Sequence, residues 1–133
     1  MSRGFSSVQA AVDAISRGEV VIVVDDEGRE NEGDFICAAE KATPENVNLI
    51  MRGRGDFCMP ILPDVCKRLD VQPLVDSNTA PLGTAFMTPL DHRLNRTGIT
   101  AEERSRTVLT IVDPQSQSED FVRPGHVHLL LAK

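Results

Sequence analysis

The 133-residue chain has no tryptophan and no tyrosine, and only five phenylalanines. Its core must therefore be assembled from Val, Ile, Leu, Met, Ala and those few Phe. Cysteines are three, an odd number without paired metal-ligand spacing, which argues against a disulfide framework or a structural zinc centre. Excess positive charge is lacking too: the formal net charge of −6 speaks against a nucleic-acid partner held on a basic face. No apolar run approaches the 18 or so residues that would suggest a membrane span, and no charged segment followed by an apolar run opens the chain. A single soluble domain spanning 1–133 is expected, in the cytoplasm, with no membrane and no nucleic acid among its partners.

What is present first draws attention at residues 20–36, VVIVVDDEGRENEGDFI. Five apolar residues run into six carboxylates within ten positions: Asp25, Asp26, Glu27, Glu30, Glu32 and Asp34. Like charges about 4 Å apart repel by roughly 1 kcal/mol in water and several times more near a protein surface. Such a cluster is either solvated or awaits a cation. Gly28 and Gly33 bracket the stretch RENE, and Arg29 lies inside it with a fork suited to a carboxylate or a substrate oxygen. Hard oxygen ligands point to Mg2+, with Mn2+ as a substitute; a calcium-loop spacing is absent.

The coarse pattern is α+β, an irregular mixed sheet flanked by helices. Ser6 or Ser7 caps a helix that stops near Gly18, and Val20–Val24 reads as a fully buried strand. Thr43 and Pro44 start a helix reaching Met51. A short helix is expected over Asp64–Leu69 and a strand over Thr84–Thr88. Thr100 and Glu103 form a capping box for a helix whose inner side carries Val108, Ile111 and Val112. Residues 113–125 read as a polar connector before a last strand, HVHLLLA, whose edge is expected to lie open and to favour self-association.

Two further stretches carry chemistry. In RPGHVH, His126 follows Pro124 and Gly125, a position suited to a general base. His126 and His128 are read as facing opposite sides of a strand, and so as alternatives rather than as joint ligands of one metal. In NRTGITAEER, Thr97, Gly98 and Thr100 sit at a helix N-terminus, where free N–H groups favour an anion; ordinary capping is the competing reading.

Together these stretches resemble the 3,4-dihydroxy-2-butanone-4-phosphate synthases of riboflavin biosynthesis. VVDDEGRENEGDFICAAE is similar to the family's acidic signature, and GDFCMPI, NTAPLGTAF, TGITAEERSRT and DFVRPGHV follow in the family's order. The resemblance implies conversion of ribulose 5-phosphate to 3,4-dihydroxy-2-butanone 4-phosphate and formate, by a magnesium-dependent homodimer. It implies Glu30 as a metal ligand, and Arg29, Glu30, Asp34 and Thr97 as substrate contacts. His126, Glu32 and Cys58 are implied as catalytic residues. The family continues past the position of Lys133 with a GHTE-like segment bearing a second metal ligand and much of the phosphate site. Relative to the family the chain is expected to be C-terminally truncated and poorly active alone. The alternative is a non-catalytic remnant serving as a dimerising or partner-binding module.

Overall fold

A computed structural model describes residues 4–133. Ser7 accepts from the Ala10 N–H and caps helix α1, Val8–Ser16. Strands β1, Val21–Val24, and β2, Gly33–Ile36, form an antiparallel pair in which Val24 faces Gly33. The acidic stretch is the loop that joins them.

Helix α2, Pro44–Met51, starts where Thr43 accepts from the Asn46 N–H and proline occupies the first turn, where a missing N–H costs nothing. Strand β3, Cys58–Ile61, and helix α3, Pro63–Leu69, follow. Strand β4, Phe86–His92, leads to helix α4, Ala101–Val112, and the chain returns as the long strand β5, Phe121–Leu131. The strand order is β3-β5-β4, with β3 parallel and β4 antiparallel to β5. Among the described residues no helix is long and apolar enough to cross a membrane.

The core lies where α2 and α4 meet this mixed sheet. Val47, Leu69, Leu90, Ile111, Val127 and Leu129 are fully buried there. Arg68 of α3 donates to the carbonyls of Ile111, Asp113 and Ser116, so a cation satisfies acceptors that the end of α4 leaves open.

Three expectations are corrected. β1 is a strand but is not buried: Ile22 is 63% exposed, and Val23 and Val24 are exposed as well. Among the described residues its partner is β2 alone, and a two-stranded sheet cannot enclose its own side chains. β5 is the central strand of its sheet, so HVHLLLA offers no open edge. Finally, Phe121–Gly125 belongs to β5 rather than to a connector. The remaining boundaries move by a residue or a few; β4 begins at Phe86 and runs past Thr88 to His92.

Candidate active site

The acidic loop is organised by Asp25. Its Oδ1 accepts from the Glu32 N–H at 2.8 Å, and its Oδ2 accepts from the Glu30 N–H and from Arg29 Nη1, both at 2.9 Å. These backbone donors, first that of Glu32 and then that of Glu30, hold the Asp25 carboxyl below the usual aspartate range, with Arg29 adding to the effect. Asp26 caps the turn by accepting from the Gly28 N–H at 2.7 Å. The sequence left open whether the six carboxylates are solvated or await a cation. In the structure one carboxylate closes the loop and its neighbours Glu30, Glu32 and Asp34 stay on an exposed surface. Arg29 lies 3.4 Å from Glu30 and pairs with Asp25.

On β5 the register slips against β4: Leu90 faces Val127, while the next residue, Asp91, faces Val122. Residues 123–126 therefore bulge, and bulges aim side chains that a regular ladder would not. Gly125 lies so close to the β4 backbone at Leu90 and Asp91 that a Cβ would collide with it. Asp91, 6% exposed, receives the product of that bulge. The His126 N–H donates to its Oδ1 at 2.9 Å, and His126 Nδ1 lies 2.7 Å from its Oδ2. The Asp91 carboxylate thus fixes the Nδ1–H tautomer in the neutral ring. Nε2 remains as the basic nitrogen on a side chain that is 45% exposed.

The 96–100 loop presses on the same carboxylate. Gly98, at φ +83°, has no room for a Cβ beside Asp91. This loop is held by Glu103 of α4, whose carboxylate accepts from the N–H groups of Arg96, Thr97, Gly98 and Thr100 and from the Thr97 and Thr100 hydroxyls. Backbone donation, led by Arg96, brings the Glu103 carboxyl down to about 2. The helix N-terminus read as an anion site is thus occupied by the protein's own anion. Thr97 has both its donors engaged in that way.

Cys58 is exposed at the start of β3, opposite His128 of β5. Desolvation, helped by the nearby carboxylates of Asp56 and Asp34, pushes its thiol up to about 11. Held as a thiol at neutral pH, it suits proton donation better than nucleophilic attack. His128 Nδ1 lies 3.0 Å from Asp56 Oδ2. The expectation that His126 and His128 face opposite sides is corrected: two apart on the strand, they share its outward side while Val127 and Leu129 point into the core, and they bind different carboxylates. The structure thus brings Asp34, Asp56, Cys58 and the two histidines to one end of the β3–β5 pair. Thr97 joins them through its loop's contact with Asp91.

No group of three or more His, Cys, Asp or Glu side chains among the described residues forms a metal cage. Exposed carboxylate oxygens at Glu30 nonetheless have the donor chemistry of magnesium, which takes one or two protein carboxylates and fills its remaining positions with water and substrate. The donor set fits a partial site.

The sequence profile of the 3,4-dihydroxy-2-butanone 4-phosphate synthase family matches residues 9–133. The chain belongs to that family. It is 52% identical over 130 residues to the riboflavin biosynthesis protein RibBA of Bacillus velezensis, and 50% identical to RibBA of Bacillus subtilis. In both cases 97% of this chain is covered but only 33% of the relative, so the chain spans about a third of the length of these proteins. A 3,4-dihydroxy-2-butanone 4-phosphate synthase crystallised with two magnesium ions superposes with a TM-score of 0.90 at 35% identity, covering 97% of this chain and 61% of that one. RibBX, a two-domain synthase from A. baumannii, gives the same TM-score at 36% identity, covering 96% of this chain and 38% of that one. The α+β fold is the synthase fold.

Asp91 was missed by sequence reasoning, since it lies 35 residues from its histidine and LDH on a strand carries no signal. Asp25 was placed in the acidic signature without a role, and Glu103 was read only as half of a capping box.

Proposed function

We propose that these residues form part of a 3,4-dihydroxy-2-butanone 4-phosphate synthase active site, converting ribulose 5-phosphate to the four-carbon ketose phosphate and formate. The single observation that carries this reading is the His126–Asp91 pair, built by a strand bulge and supported by the family's acidic loop. A 2-ketose is activated by removing the proton next to its carbonyl, which needs a base and nearby positive charge. His126 Nε2 takes that proton and returns it later, while Asp91 holds the ring and balances its charge. Glu30 would hold Mg2+ or Mn2+, and a divalent cation there would supply positive charge for the enolisation step.

Arg29, restrained by Asp25, Glu30 and Asp34 contact the sugar's oxygens; Glu32 acts as a second carboxylate for proton movement. Thr97 approaches the substrate from the loop that Glu103 holds. Cys58, kept protonated, donates to a departing oxygen during dehydration. Ribulose 5-phosphate incubated with the full-length protein and magnesium, followed by NMR, should show equal growth of formate and a four-carbon phosphate. Absence of formate in the presence of metal refutes the reading.

We also place the protein in the cytoplasm as a homodimer. All three cysteines are free thiols, as a reducing compartment allows. Phe5, Val8 and Val12 near α1 and Ile22 and Val24 of β1 present exposed apolar surface, which suits a second subunit. A monomeric mass by light scattering at high micromolar concentration speaks against the dimer. A non-catalytic dimerising module is the weaker reading, because such a module has no use for an oriented histidine.

A further inference from the structure

The two halves of the site lie on different parts of the fold: Glu30 and Asp34 on the β1–β2 hairpin, His126 on β5. β2 gives the body of the protein little to grip, since Gly33, Asp34 and Ile36 are exposed and Phe35 alone is half-buried. Phe35 meets the 52–57 loop. A Cβ at Gly53 would stand 3.0 Å from the Phe35 ring, so the glycine lets that ring lie against the loop backbone.

The loop has few holds of its own. Gly55 has no neighbour within 4 Å of where a Cβ would stand, and Arg54 occupies the left-handed region at φ 58°, uncommon outside glycine. The loop is fastened at its far end. Asp56 Oδ2 lies 3.0 Å from Nδ1 of His128, 72 positions away in the chain, and the His128 N–H donates to the Phe57 carbonyl at 3.1 Å. Contacts thus run from Phe35 through Gly53 and Asp56 to His128, on the same strand and the same side as His126. Stability does not explain the side-chain pair. The two side chains are 41% and 58% exposed, and an exposed pair of this kind adds little to the folded state. Nor does the bond need a charged ring, because neutral imidazole with its proton on Nδ1 donates to a carboxylate as imidazolium does.

We propose that His128 is a positioning residue: through Asp56 it fastens the 52–57 loop to β5 and so fixes the acidic hairpin against His126. That this serves enolisation of a ketose rests on the proposed function; the fastening of the hairpin does not. The hairpin's carboxylates and the histidine have to meet one substrate, and a misplacement of about 1 Å costs on the order of 10²-fold in rate.

The test replaces His128 in the full-length protein and follows both the amide resonances of residues 33–36 and 53–57 and the kinetics on ribulose 5-phosphate with magnesium. His128→Ala should move the resonances of both segments while melting close to the parent. Its kcat should fall at least about tenfold with KM within about twofold, the split expected of lost positioning. His128→Asn, whose amide N–H stands near the place of Nδ1, should restore resonances and kcat; since it also lacks the ring, restoration excludes a ring-current effect. Asp56→Ala should reproduce His128→Ala, and the double variant should be no slower than the slower single one, because the two side chains act as one unit. Resonances of 33–36 that stay in place in His128→Ala, an unchanged kcat, or no rescue by His128→Asn overturns the inference. If the parent itself releases no formate, the proposed function fails, while the resonances of 33–36 still decide whether the pair fastens the hairpin.

Discussion

His126 Nδ1 and Asp91 Oδ2 stand 2.7 Å apart, although the two residues sit on different strands and the carboxylate is buried. Burial of Asp91 is tolerable because the His126 N–H also donates to it, so both carboxylate oxygens are occupied. Gly98 and Gly125 close around the pair without side chains that would displace it. The relationship assigns Asp91 a positioning role.

Asp91→Asn replaces an acceptor by an amide that can present its NH2 to Nδ1 and stabilise the wrong tautomer. We expect kcat of the full-length protein to fall by roughly 10²–10⁴-fold with little change in KM. Steady-state kinetics on ribulose 5-phosphate check this. A purely structural role for Asp91 would instead lower the amount of folded enzyme and leave kcat per folded molecule unchanged.

Glu103 supplies a pH signature. Its carboxyl is held down at about 2 in the folded protein, against an ordinary glutamate value near 4.3 in the unfolded chain. Because the folded value is the lower one, the contribution is complete above the unfolded value and is lost as pH falls toward about 2. Glu103→Ala should melt a few degrees below the parent at pH 7. The gap should shrink from about pH 4.5 downward, as thermal scans across pH will show. A constant gap over that range contradicts the role of the ionised carboxylate.

How much of this was legible beforehand differs by element. The start of α2 was written in Thr43-Pro44 and that of α4 in Thr100 and Glu103, because caps act within one turn and local sequence encodes them. Val20–Val24 announced a strand but not its exposure, since β-branched residues favour pleated backbone whether or not a layer covers them. Pro124-Gly125 looked like a connector because those residues usually break ladders; here they make the bulge. His126 was legible as a base. Asp91 was not, since its partnership depends on the register of two strands that no local pattern states. The acidic loop was legible as a cluster, while its internal anchor at Asp25 emerged only from hydrogen bonds to backbone N–H groups.

Magnesium should stabilise the folded protein. Binding to the native state alone adds RT ln(1 + [L]/Kd), about 2.7 kcal/mol at a hundredfold excess over Kd. With few protein ligands, millimolar metal is expected to be needed. Glu30→Gln should abolish the rise in melting temperature. The same rise in both proteins removes Glu30 as a ligand.

Cys58 is exposed yet should react slowly. With its thiol pushed up to about 11, thiolate at pH 8 is scarcer than for an ordinary cysteine by roughly a hundredfold. Alkylation by iodoacetamide, mapped by mass spectrometry, should climb about tenfold per pH unit from 7 to 10. A rate that levels off just above pH 9, where an ordinary thiol is already largely ionised, would show a thiol with an unperturbed environment.

The most direct measurement is formate release from ribulose 5-phosphate, coupled to formate dehydrogenase, by the full-length protein and its His126→Ala variant with magnesium present. The account predicts one formate per sugar phosphate consumed, and a variant slower by roughly 10²–10⁴-fold. No formate from the parent protein, or an unimpaired His126→Ala variant, would contradict it.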